Sequence, residues 1–391
     1  MTLTWQHIYL LVFLLGGTLS LVFTPGCRLL AEKWDIVDRP KNEKHKQHRA
    51  ATPYLGGLAM FGAWIVAILL GYLLVMTADL TGISPDIAAH LEGLRGILPR
   101  LGVICLGAFL AMGLGLWDDK FGMKAQFKFA GQFLVAALAV SFGGVKVTLF
   151  VNNPVFVWCI TVFWFMLLMN ATNFFDNMDG LAVGTITIAM GLFTVTAILT
   201  NQYFVATLSS LTCGVCLGFW FYNHTPASIF MGDSGSHFLG YMAAVISAGT
   251  SYFSHQESLT RFPILIPLFI LAIPLFDALV VVMIRLRNGK PIYVGDHNHI
   301  SHRFVKMGLS RRRAVQMVHL MALMLGLSVL PLLWGDLKTA CIIVVQALIF
   351  LLIITIMQIG AAGSINEERR KGSGLPLNSV DSTVPADPDK N

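Results

Sequence analysis

Apolar runs of about 18–25 residues recur along this chain, each long enough to cross the roughly 30 Å hydrocarbon core of a bilayer as one helix. Eleven spans are predicted, over residues 7–31, 55–76, 99–117, 128–143, 154–174, 180–200, 203–222, 236–253, 263–284, 313–333 and 339–360. Inside hydrocarbon every backbone N–H and C=O must find its partner within the segment, which leaves helices as the solution for runs of this kind. Hydrophobic residues make up 55% of the sequence and charged residues 12%, with a mean hydropathy of +0.70; soluble domains carry about twice that charged fraction. The expected fold class is an all-α integral membrane protein. Residues 1–360 read as one polytopic domain, and 361–391, rich in Ser, Pro and Asp, as a polar, disordered cytoplasmic tail.

Lysine and arginine set the expected orientation. No basic residue precedes Arg28, whereas residues 28–49 carry seven, so the N-terminus is placed outside. From that start the inward segments hold 22 of the 27 basic residues, leaving Arg95, Arg100, Lys146, Arg261 and Lys338 outside, and the C-terminus is cytoplasmic. The excess positive charge belongs to a membrane surface and to anionic substrates, and gives no reason to invoke nucleic acid. The first span lacks a basic n-region and a small-residue cleavage site, so it is expected to be retained. The six cysteines lie in or beside apolar spans; Cys213-x-x-Cys216 has metal or redox spacing but sits mid-span with no histidine near it, and reads as packing.

Against this apolar background a few carboxylates and amides stand where helices should be leaving the membrane. Such groups are costly there unless paired, hydrated or metal-bound, so each is a candidate functional residue. Asp118-Asp119 closes the third span, with Lys124 and Lys128 at the start of the fourth, where free helical N–H groups favour anions. One carboxylate of such a pair can hold a cation or orient a phosphate while the other accepts a proton; stop-transfer charges in a wet loop explain the segment equally well.

Asn170-x-x-Asn173-x-x-Asp176-x-x-Asp179-Gly180 ends the fifth span. Three-residue steps drift by about 60° each on an ideal helix, so Asn170 and Asp179 cannot face one site from a straight helix. The helix must end near Asn173 to Asp176, with Asn177 and Gly180 making the break. Capping accounts for one Asp or Asn, not for four at regular spacing. In Gly232-Asp233-Ser234-Gly235, at the start of the eighth span, an N-cap by Asp233 or Ser234 is the plain alternative to a metal ligand. Asn223-His224 and Pro226 precede it with no Lys or Arg between, leaving Asp233 free of a competing cation along the chain. Oxygen donors without clustered Cys or His suit Mg²⁺ or Mn²⁺ rather than zinc. The last large inward loop carries Arg285, Arg287 and Lys290, then Asp296-His297-Asn298-His299-Ile300-Ser301-His302-Arg303, a cationic patch suited to a nucleotide's phosphates. Asp277 lies close enough to brace it.

Taken together, these motifs resemble the polyprenyl-phosphate N-acetylhexosamine-1-phosphate transferase family. Asp38-Arg39-Pro40, Lys46-x-His48, Thr52-Pro53 and Gly56-Gly57 are similar to that family's first cytoplasmic loop, and the likeness runs from about residue 30 to 310. The resemblance implies Mg²⁺-dependent transfer of a sugar-1-phosphate from a UDP-N-acetylhexosamine, UDP-GlcNAc for the simple-sugar branch, to undecaprenyl or another polyprenyl phosphate, releasing UMP. With the residue-level reading it assigns catalysis to Asp118, Asp119, Asp176, Asp179 and Lys128, and the metal to Asp233 and Asp176. Substrate binding falls to Asn170, Asn173, Asn223, His299, His302, Arg303, Lys124 and His48. Ser301 stands where many members carry a second adjacent histidine, so no role needing paired histidines is expected. The implied setting is a bacterial inner membrane with a cytoplasmic active site feeding a cell-envelope glycan, with a homodimer as one arrangement it allows. Two neighbours in chemistry are a phospho-MurNAc-pentapeptide transferase and a CDP-alcohol phosphotransferase, although Asp179-Gly180-Leu181-Ala182-Val183 lacks the arginine the latter wants. A secondary transporter would carry its charges near the bilayer midplane, whereas these sit at helix ends.

Overall fold

The computed structural model describes residues 4–39, 52–77, 85–147, 151, 153–252, 259–289, 291 and 299–373. Thirteen α-helices follow in order among these residues: α1 Trp5–Lys33, α2 Gly56–Thr77, α3 Pro85–Phe121, α4 Ala125–Phe142, α5 Pro154–Phe175, α6 Leu181–Leu199, α7 Tyr203–Asn223, α8 Gly232–Gly249, α9 Ile266–Ile270, α10 Ala272–Arg287, α11 Ile300–Lys306, α12 Arg311–Ser328 and α13 Leu337–Ser373. Among the described residues nine helices are long and apolar enough to cross a membrane, and the pair Phe262–Ile270 with Ala272–Arg287, bent by 72°, makes a tenth if counted as one. The chain is thus an all-α, multi-pass membrane protein.

The eighth expected span, 236–253, corresponds to α8, which is not among those apolar helices, and its surroundings explain why. Its residues Ser234 to Ala248 are all buried. It runs between α2, α3 and α5 and meets protein rather than lipid, so Gly, Ser and His replace Leu and Ile along it. Small residues let the neighbours close in: a Cβ on Gly57 of α2 would lie 2.2 Å from the Gly235 nitrogen, and one on Gly115 of α3 2.2 Å from the Asp233 carbonyl oxygen. The periphery is the reverse case. Only 22% of the span is buried in α1 and in α13, against 67% in α6 and 72% in α7, and Leu10, Leu14, Leu348, Leu352 and Ile356 stand exposed on the outer helices.

Two boundaries differ from expectation. α3 starts at Pro85 rather than near 99, and α13 continues to Ser373, past the limit placed at residue 360. Residues 367–371 are Glu, Glu, Arg, Arg and Lys, all strong helix formers, and they prolong the helix after the apolar stretch has ended. Cys216 is buried in α7 and Cys213 turns its thiol to the Thr187 carbonyl oxygen at 3.4 Å, as packing residues do.

Short antiparallel strands β1 (Val37–Asp38) and β2 (Thr52–Pro53) pair in register Val37 with Pro53 and Asp38 with Thr52. The strand β2 clips the start of α2 to the loop before α8: Phe230 N–H donates to the Pro53 carbonyl at 2.8 Å, and Gly57 N–H to that of Met231 at 3.0 Å. His48 and Lys46, expected to reach the site from this region, lie outside the described residues.

Candidate active site

Short connections bring the ends of α3, α5 and α7 and the starts of α4, α6 and α8 to one end of the bundle, with the expected polar residues. At their centre is Lys128 of α4. Its ammonium lies 2.9 Å from Asp118 Oδ2 and donates to Asp233 Oδ2, so two carboxylates from α3 and α8 share one cation. The other Asp233 oxygen accepts from Asn173 Nδ2 at 2.7 Å, and the same amide donates to Ser236 Oγ at 2.9 Å. The expectation that Asp233 would be free of a competing cation is therefore corrected. Its own loop is free of basic residues, but Lys128 arrives from a different helix, a relation that chain-local reading does not reveal.

Neither Asp233 nor Ser234 caps α8. That cap comes from Asp119, whose two oxygens accept the backbone N–H groups of Asp233 at 2.7 Å and Ser234 at 3.0 Å. These are amides that a helix start leaves unpaired, at the end where the dipole favours an anion. Tyr54 Oη donates to the Asp119 carbonyl at 3.1 Å and ties the first loop to the same point. The members of the adjacent pair thus diverge: Asp118 faces the ammonium, Asp119 holds a helix.

The ladder breaks where drift requires. α5 stops at Phe175, Asp176 caps its C-terminus, and Gly180 takes φ +72° ahead of α6. Asp179 Oδ2 accepts from Ala227 N–H at 3.0 Å. Asn223, buried, accepts from Gly180 N–H at 3.1 Å and donates to the Ile229 carbonyl at 2.9 Å. Both residues staple the α5–α6 turn to the α7–α8 loop, and Asn223 has both ends of its amide committed to backbone. Asp176 accepts no hydrogen bond among the described residues. Burial first, then the charges of Asp233, Asp119 and Asp179, push its carboxyl up to about 8. Asn170 lies a turn deeper, donating to Gln132 Oε1 at 2.7 Å. Lys124 is exposed at the start of α4.

The histidine segment docks against this turn. His299 Nδ1 and Asp277 Oδ2 are 2.7 Å apart and both residues are buried; Ile300 N–H donates to Asp277 Oδ1 at 2.6 Å. Asp277 is the brace it was expected to be. Ser301, fully buried, donates to Asn177 Oδ1 at 2.5 Å, so the residue in the histidine position latches the segment to the α5–α6 turn. Arg285 lies over the Phe174 ring at 5.1 Å. The rings of His299 and His302 are 6.4 Å apart, and His302 and Arg303 are half-buried beside them. Lys290, Asp296, His297 and Asn298 lie outside the described residues. Gln132, Ser236 and His237 were not anticipated, and Asn177 was expected only as part of the break after α5. Gln132 and His237 had a signal, standing four residues after Lys128 and Asp233 on the same helix faces.

The donor set is carboxylate oxygen, hard and anionic. Asp118, Asp119, Asp176, Asp179 and Asp233 gather with Lys128 as the ammonium among them, an excess of negative charge that fits a divalent cation. No group of three or more His, Cys, Asp or Glu among the described residues is already arranged around one point.

Comparison with known proteins gives the same direction. The model of glycosyl transferase family 4 matches residues 101–250, which span α3 to α8. The probable undecaprenyl-phosphate N-acetylglucosaminyl 1-phosphate transferase of Bacillus subtilis is 34% identical over 367 residues, covering 91% of this chain and 92% of its own. The decaprenyl-phosphate N-acetylglucosaminephosphotransferase of Mycobacterium tuberculosis is 31% identical, covering 79% of each chain. A phospho-N-acetylmuramoyl-pentapeptide-transferase of Geobacillus kaustophilus is also 31% identical, over 61% of this chain and 72% of its own.

Proposed function

The chain belongs to glycosyl transferase family 4, among the polyprenyl-phosphate N-acetylhexosamine-1-phosphate transferases, and from that membership we propose that it moves GlcNAc-1-phosphate from UDP-GlcNAc to a polyprenyl phosphate, undecaprenyl phosphate being the expected acceptor. The active site faces the cytoplasm of a bacterial inner membrane, where the basic residues are concentrated, and the lipid-linked product starts an envelope glycan. The observation that carries this reading is the Lys128 ammonium shared by Asp118 and Asp233 at the end of the bundle. A site of this kind serves one substrate that arrives in the membrane and another from solution.

In the reaction an oxygen of the lipid phosphate attacks the sugar-bearing phosphorus of UDP-GlcNAc. A new P–O bond forms, the bond to the uridine-bearing phosphate breaks, and UMP leaves with the electron pair. Two polyanions must meet, so neutralising and positioning groups carry most of the catalysis. Lys128 supplies fixed positive charge to the approaching phosphates. Asp233 and Asp176 would hold Mg²⁺, or Mn²⁺ in its place, which when bound would screen phosphate charge. A phosphate monoester is already largely ionised near pH 7, so the step needs no strong base; Asp118 orients Lys128, and Asp119 acts through α8. His302 and Arg303 face the uridine phosphates, with Arg285 buried over Phe174 behind them, His299 set by Asp277 and the segment latched by Ser301.

The longer span of similarity to the simple-sugar enzymes favours GlcNAc over the muramoyl-pentapeptide. Purified protein offered UDP-GlcNAc, UDP-GalNAc and UDP-MurNAc-pentapeptide with a polyprenyl phosphate should release UMP from the first. Preferential use of the pentapeptide donor would overturn the choice of sugar, and no UMP from any donor would overturn the reaction.

A further inference from the structure

Beneath the carboxylates lies a second tier of polar side chains in the interior of the bundle. Gln132 and His237 are fully buried. Asn170 Nδ2 donates to Gln132 Oε1 at 2.7 Å; Gln132 Nε2 lies 2.9 Å from His237 Nε2; His237 Nδ1 lies 2.7 Å from the main-chain carbonyl oxygen of Asp233. A buried polar network is stabilising only when every member is satisfied, and this one is satisfied in a single way.

The two ends fix its polarity independently. At one end the Asp233 carbonyl can only accept, so His237 Nδ1 must carry a hydrogen. At the other end Asn170 Nδ2 also donates to the Met166 carbonyl at 2.8 Å, which fixes that atom as the nitrogen facing Gln132 Oε1, while Asn170 Oδ1 accepts a longer bond from Gln132 Nε2 at 3.4 Å. Gln132 then presents its oxygen to Asn170 and its N–H to His237, whose Nε2 must be a bare acceptor. Both readings give a neutral ring protonated at Nδ1.

The tier repeats the geometry above it. Lys128 and Gln132 are four apart on α4, Asp233 and His237 four apart on α8, and Asn170 and Asn173 three apart on α5, so each pair shares a helix face. The same three helices that grip the Asp233 carboxylate from above, through Lys128 and Asn173, are therefore bonded together one turn deeper. We propose that Asn170, Gln132 and His237 are positioning residues that fix the separation of α4, α5 and α8 and so hold Asp233 between Lys128 and Asn173 without touching substrate. This moves Asn170 from substrate binding to support, and it rests on the transferase reading of the site.

The test pairs kinetics with a spectroscopic signature on the full-length protein in nanodiscs. Gln132→Met keeps the shape and removes both hydrogen bonds. It should lower kcat about 10- to 100-fold, as a misplaced catalytic group does, with KM for UDP-GlcNAc within about twofold. His237→Leu alone, and Gln132→Met with His237→Leu, should cost about as much as the first, because one break already opens the chain. General loosening would instead raise KM and accumulate with each substitution. In ¹⁵N-histidine spectra of the unsubstituted protein, the signal missing from His237→Leu should report a protonated Nδ1 and a bare Nε2. Gln132→Met with near-normal kcat, or an N–H at His237 Nε2, overturns the proposal. If the unsubstituted protein releases no UMP, the transferase reading fails, and the spectrum still decides the polarity of the chain.

Discussion

Asp119 and Asp233, 114 residues apart, are joined through backbone rather than through charge: the Asp233 N–H donates to Asp119 Oδ1 at 2.7 Å. One carboxylate thereby anchors the helix that presents the other. Adjacent Asp118 has a different task, so the two acids should fail differently. Asp119→Asn offers one acceptor for two amides and turns an N–H toward the second. It should destabilise the protein by about 1–3 kcal/mol, the cost of stranding a buried polar group, and lower turnover with it. Asp118→Asn should lower turnover with an unchanged melting temperature in detergent. Equal stability of the two variants would count against the anchoring role.

Replacing Asp233 by Asn removes the charge that Lys128 holds and that a divalent cation bound there would share, and leaves the cap on α8 untouched because Asp119 supplies it. Turnover should fall by about 100- to 1,000-fold, the scale seen on deleting one preorganised electrostatic group. Folding, followed by size exclusion and thermal unfolding, should be unaffected. Near-normal cation-dependent UMP release would remove Asp233 from the metal site.

Lys128→Gln separates neutralisation from metal binding. Without the ammonium, Asp118 and Asp233 lose their shared counterion, so Mg²⁺ should bind more tightly while turnover drops. The measurement is the melting temperature against Mg²⁺ concentration, where the variant should be stabilised at lower concentration than the parent. Lys128→Arg should not restore activity, since a planar fork does not replace a point charge between two carboxylates.

A pH dependence follows from Asp176. Its carboxyl is raised to about 8 in the folded chain from an ordinary 3.8, so the folded state keeps a proton that the unfolded state has already lost between those values. Stability therefore falls as pH rises through that window, and the cost is complete above about 8. In chelator, the melting temperature should decline from pH 5 to pH 8.5, and Asp176→Asn should flatten the decline. A slope unchanged in the variant would show that another group titrates.

Much of the arrangement was legible beforehand. Span length marked the helices, and the drift of a three-residue ladder required α5 to end before Asp179, as it does at Phe175. Asp277 was readable as a brace from its place late in the expected span 263–284, ahead of the histidine segment. The unread part is tertiary. A carboxylate near a helix end shows its cost in sequence but not its partner, so Asp119 as a distant cap and Lys128 against Asp233 needed the packing. That Asn223 and Asp179 bond backbone groups of the neighbouring turn and loop was not readable either, because a polar residue committed to backbone has the same spelling as one facing substrate. Gln132 and His237 were hidden among small residues, their helical phase with Lys128 and Asp233 being the sole trace.

The burial of α8 has a mechanical consequence. The helix carrying Asp233 is buried within protein from Ser234 to Ala248, whereas α1 and α13 present long apolar faces outward. When bilayer thickness changes, mismatch is met by tilt of lipid-facing helices, and here those are the peripheral ones. The reacting end of α8 is shielded from that strain by a sleeve of α2, α3 and α5, so the geometry of phosphate transfer stays constant while the outer helices follow the thickness of the membrane around them.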